Sequence, residues 1–82
     1  MENFNLDKYK ILKAFHEVLS KSYFEYKCDK EERDMCVDEI FEFNNNYRKI
    51  TSYDDLIKQV VYVCTNHDIR NIPSHYKLML DE

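Results

Sequence analysis

Eighty-two residues make one domain, near the lower limit for a chain that folds without a metal or disulfides. The chain has no glycine, a single proline and a formal charge of −4. Glycine is the usual residue at positive φ, so its absence excludes the phosphate-cradling loops of nucleotide-binding folds and argues against hairpin-rich β folds.

The first predicted helix runs from about residue 5 to 26. Leu6, Tyr9, Leu12, Phe15, Leu19 and Tyr23 recur at three- and four-residue spacing, and Ile11, Val18 and Tyr26 widen the apolar stripe. Asn5 or Asp7 is the expected cap. Cys28 and Asp29 break the pattern, and Asp29 followed by Glu32 has the spacing of a capping box. A second helix over 30–43 then buries Cys36, Val37, Ile40 and Phe41, and Asn44–Asn46 are expected to stop it, since asparagine tolerates the left-handed conformation.

Thr51 and Ser52, followed by Asp54 and Asp55, mark the start of a third helix over 53–66. Val60–Thr65 has high β-propensity, but no second run of that character exists to pair with it, so helix is preferred. Pro73 suits the first turn of a short fourth helix over 74–80. The expected fold is all-α, a compact three- or four-helix bundle forming one domain over residues 1–82.

Charge is segregated along this chain. Residues 25–42 carry Glu25, Asp29, Glu31, Glu32, Asp34, Asp38, Glu39 and Glu42 against Lys27, Lys30 and Arg33, a net −5, while the remainder sums to +1. Such a block argues against direct nucleic-acid binding, which needs a basic footprint, and favours a basic protein surface as partner. The five phenylalanines and seven tyrosines exceed what so small a bundle can bury. Tyr23 and Tyr26 beside the acidic segment, and Tyr47 and Tyr53 around the following loop, are candidates for contact with that partner.

Three cysteines with no framework spacing read as reduced thiols of a cytoplasmic protein, and the N-terminus has neither the basic nor the apolar region of a signal peptide. The longest apolar run, Val60–Cys64, is too short to span a bilayer. Cys64 and His67 lie one helical turn apart and could share a tetrahedral ion, with Cys28, Cys36 or His75 as further ligands. None of these has the short paired spacing of structural zinc sites, so Cys36 and Cys64 are read as buried apolar residues, and neither metal nor cofactor is expected.

Arg70-Asn71-Ile72-Pro73-Ser74-His75 resembles the arginine–asparagine–spacer–histidine signature of HEPN-type ribonucleases. The resemblance covers these six residues, with Pro73 inside the spacer, and implies phosphate stabilisation by Arg70 and acid–base work by His75 across a dimer interface.

The preferred reading is a non-enzymatic acidic interaction module. Its partner face comprises Glu25, Glu31, Glu32, Asp34, Asp38, Glu39 and Glu42 with Tyr23, Tyr26, Tyr47 and Tyr53. It would act as an inhibitor on the nucleic-acid-binding surface of a nuclease, CRISPR effector, polymerase or toxin. Anti-CRISPR and host-takeover proteins of phage, immunity proteins and antitoxins are of this kind. Abundant Lys, Asn, Tyr and Ile match the codon usage of an AT-rich genome, such as that of a low-GC bacterium or its phage. The alternatives are a self-associating structural module that forms a homodimer, and the small ribonuclease using Arg70 and His75.

Overall fold

In a computed structural model that describes residues 4–69 and 72–78, the chain forms five helices: α1 (Lys8–Leu19), α2 (Lys21–Tyr26), α3 (Lys30–Asn46), α4 (Tyr53–Asn66) and α5 (Ser74–Lys77). Among the described residues there is no strand. Helix α1 packs against α4, α2 and α3, while α4 also packs against α3 and α5. The three long helices thus enclose one core, built on Ile11, Phe15 and Val18 of α1, Cys36 and Ile40 of α3, and Leu56, Val60 and Cys64 of α4. Phe24 of α2 closes one side of it, its ring stacked on Phe15 at 4.9 Å between centroids.

The single helix expected over 5–26 is two helices. Ser20 takes φ 66°, ψ 150°, which interrupts the α-helical ladder, and its Oγ then accepts a hydrogen bond from Tyr23 N at 3.3 Å to start α2. The break redirects the stripe: Phe24 enters the core, whereas Tyr9 and Tyr26, which lie on the expected apolar stripe, are exposed. Upstream, Asp7 caps α1 by accepting from Lys10 N at 2.8 Å.

Helix α3 does not stop at the asparagines. All three are helical, and the chain turns only at Tyr47. Asn44 Oδ1 accepts from Ile50 N at 2.8 Å, so its side chain folds the departing segment back and seats Ile50 in the core. A left-handed helix terminus falls instead at Asp68, with φ 59°. There Asp68 N donates to Thr65 O and Ile69 N to Cys64 O, the paired bonds of a Schellman motif, with Ile69 buried behind them.

The Asp29–Glu32 capping box is not formed, since Asp29 makes no side-chain cap bond and Glu32 faces His67. Helix α4 has the boundaries expected, and Ser52 Oγ accepts from Asp55 N at 3.1 Å. Val60–Thr65 is helical: Val60, Val61, Val63 and Cys64 are buried, so tertiary burial overrides β-propensity. Helix α5 spans four residues with Pro73 as its N-cap, shorter than the 74–80 expected, and residues 79 and 80 lie outside the described residues. No helix among the described residues is long and apolar enough to cross a membrane.

Candidate functional site: the acidic helix and its groove

Helix α3 sorts its charges by face. Cys36, Val37 and Ile40 bury one stripe, which leaves Glu31, Asp34, Met35, Asp38 and Glu42 on the solvent side at spacings of three and four. Asp34 is held by Lys30, Nζ to Oδ2 at 2.9 Å, and this hydrogen bond keeps its carboxyl below the usual carboxylate range. Glu31, Asp38 and Glu42 have no ion-pair partner among the described residues. Met35, half-exposed between Glu31 and Asp38, gives this acidic ridge a flexible apolar centre.

Glu32 and Glu39 leave this ridge and turn toward the end of α4. His67 Nε2 lies 2.7 Å from Glu39 Oε2, and its Nδ1 lies 3.8 Å from Glu32 Oε1. His67, the C-cap of α4, thus fastens that helix end to α3 and spends two acids of the block on tertiary structure. It is directed at carboxylates rather than at Cys64. Among the described residues, no group of three or more His, Cys, Asp and Glu side chains is arranged to hold a metal ion. Burial pushes the Cys36 and Cys64 thiols up to about 12, with the charges of Glu32 and Glu39 adding to the effect on Cys36.

The remaining predicted residues divide between the two ends of α3. At its N-terminal end, Glu25 Oε1 lies 3.7 Å from His16 Nε2, and Tyr26 is 81% exposed. Arg33 Nη1 donates to the carbonyls of Glu25 at 2.5 Å and Cys28 at 3.5 Å, which closes the C-terminus of α2 onto α3. Tyr23 is half-buried against the core. At the other end Tyr47 is 82% exposed, whereas Tyr53 is half-buried and donates its hydroxyl to Glu17 Oε2 at 2.8 Å.

Tyr47 borders an open groove of about 640 Å³ between α3 and α4, with Ile40, Phe43 and Val63 among its apolar lining and Tyr62 and Lys58 contributed by α4. Glu39 and Glu42 form its α3 wall, so the groove is continuous with the acidic ridge. Its guanidinium is already committed: Arg48 Nη1 and Nη2 donate to the two carboxylate oxygens of Asp55 at 2.7 and 3.0 Å, with Cζ 5.4 Å from the Phe43 ring centroid. Phe43 in turn stacks on Tyr47, 5.9 Å between centroids.

Met35 and Tyr62 are exposed apolar side chains that the sequence reading did not single out. Helical spacing from Leu56, Val60 and Val63 turns position 62 outward, where Tyr62 is 42% exposed. Met35 carries the same signal, three and four residues from Asp38 and Glu31. Of the ribonuclease-like pair, Arg70 lies outside the described residues, and His75 is exposed on α5 with its ring 4.2 Å from that of Tyr76. Comparison with protein-family models, with curated protein sequences and with solved structures finds no match in any of the three.

Proposed function

We propose that this chain is a small acidic protein-interaction module, an inhibitor that docks through the outer face of α3 on the basic, nucleic-acid-binding surface of a partner protein. The observation that carries this reading is the ridge itself: Glu31, Asp38 and Glu42 lie on one exposed face with no ion-pair partner among the described residues, around the half-exposed Met35. Over Glu31–Glu42 the ridge extends about 16 Å, at roughly 1.5 Å per residue. Opposed charge speeds encounter with a basic surface, and the bound module then blocks access to it sterically. A nuclease, CRISPR effector, polymerase or toxin offers such a surface. The module needs no catalytic residue of its own.

The test is capture of the partner at low and high salt, with the Glu31→Lys/Asp38→Lys variant alongside. These two residues are exposed and have no ion-pair partner among the described residues, so the variant should keep the helicity of the parent. Glu32 and Glu39 are left intact because their reversal would also break the contacts of His67. One dominant basic protein, lost with the variant and weakened by salt, supports the reading. A partner bound equally by the parent and the reversed variant overturns it.

A further inference from the structure

The groove at the C-terminal end of the acidic ridge has a composition that selects one kind of side chain. Its rims carry two exposed tyrosines, Tyr47 from the end of α3 and Tyr62 from α4, and its α3 wall carries Glu42, which has no ion-pair partner among the described residues. Of its two cations, Arg48 is matched by Asp55, which leaves Lys58 on the α4 side. Gln59 and Asn66 add amide groups to the lining. An aliphatic anchor would cover the apolar floor but strip water from the carboxylate and amides without replacing their hydrogen bonds. A guanidinium satisfies both demands, since its flat face stacks on an aromatic ring while its edge donates to carboxylate and amide oxygens.

The same wall already displays this combination internally. Arg48 lies over Phe43 while its two terminal nitrogens grip Asp55, and Phe43 is stacked in turn on Tyr47. The exposed Tyr47 ring and Glu42, which has no ion-pair partner among the described residues, repeat those two elements, an aromatic face and a carboxylate, on the α3 side of the groove, with Lys58 on the α4 side. We infer that the α3–α4 groove receives an arginine side chain of the basic partner, stacked on Tyr47 or Tyr62 with its charge met by Glu42. The inference rests on the reading of α3 as the docking face and specifies the partner's anchor.

Isotope-labelled protein titrated with a short arginine homopeptide, and separately with a lysine homopeptide of equal length, tests the groove apart from the ridge. Both peptides carry the same charge, but a guanidinium also pairs better than an ammonium with the ridge carboxylates, so the groove's own preference is the part that substitution of its tyrosines removes. The groove should favour arginine by about threefold, the scale of an exposed guanidinium–aromatic contact. NMR shifts should then include Phe43, Tyr47 and Tyr62. Tyr47→Ala should lower the preference by that factor while leaving lysine-peptide binding unchanged, and Tyr62→Ala, on a different helix, provides an independent second variant. A preference that both variants leave unaltered belongs to the ridge and overturns the anchor. Equal binding of the two peptides, with shifts confined to the outer face of α3, overturns the arginine anchor and leaves the acidic docking face standing. Failure of both peptides to bind at low salt overturns both.

Discussion

Tyr53 donates its hydroxyl to Glu17 Oε2 at 2.8 Å, a bond that ties the first turn of α4 to α1 across 36 residues of chain. Lys13 Nζ sits 5.7 Å from the same ring, so α1 holds Tyr53 by both its polar tip and its face. Burial, followed by the hydrogen bond to Glu17, raises the phenol above the ordinary tyrosine range. Tyr53→Phe should therefore cost about 1 kcal/mol of stability in urea unfolding, the usual net worth of such a bond. A double-mutant cycle with Glu17→Ala should return a coupling of at least roughly 0.5 kcal/mol. Additive effects in that cycle would show that the bond does not hold the helices together.

Ser20 is strained at φ 66°, ψ 150°, a region that side chains with a Cβ avoid, yet it also caps α2. The two roles separate by substitution. Ser20→Ala keeps the strain and loses the cap, and should destabilise by about 1 kcal/mol. Ser20→Gly loses the same hydroxyl but relieves the backbone, and should be at least as stable as the parent by roughly 0–1 kcal/mol. Thermal melts in which the glycine variant was the weaker of the two would contradict the strain argument.

Asp55 anchors the approach to α4, accepting both guanidinium bonds of Arg48 and a backbone bond from Thr51 N at 3.3 Å. The hydrogen bond from Arg48 is the main cause holding its carboxyl below the ordinary range. Because the folded state binds this proton less tightly than the unfolded chain, the contribution is fully present above about pH 4 and is lost as pH falls through the lowered folded value. Asp55→Asn should thus lower stability at neutral pH while flattening its decline in acid. An unchanged acid slope would remove Asp55 from the account.

The thiols should respond to alkali in the opposite sense. Burial raises Cys36 and Cys64 to about 12, so the folded state keeps protons that the unfolded chain releases from about pH 9 upward, and stability should fall as pH rises through that window. Labelling with a thiol reagent at mildly alkaline pH should modify Cys28 first, since its residue retains 9% exposure while Cys36 and Cys64 have none. Cys36 and Cys64 should react only at the rate of unfolding. Rapid modification of all three in the folded protein would contradict the packing described for α3 and α4.

Much of this molecule was determined by local sequence. Apolar spacing placed the three main helices, Ser52 and Asp7 supplied the capping oxygens where expected, and the missing glycines already excluded hairpins, because each of these effects acts within a few residues. The concentration of acids on the second predicted helix was equally legible, together with the stripe that α3 leaves exposed.

What local pattern left open was decided by contacts between distant residues. The kink at Ser20 exists because α2 must turn to bring Phe24 onto Phe15, a packing gain that offsets an unfavourable backbone angle. Asn44 remained helical because the amide of Ile50 came back to its side chain. The acidic block was divided by His67, whose position beside Glu32 and Glu39 depends on how α4 crosses α3. Tyr47 and Tyr62 share a groove for the same reason: helical period says which way each side chain points, but only the packing of the two helices brings their rims together.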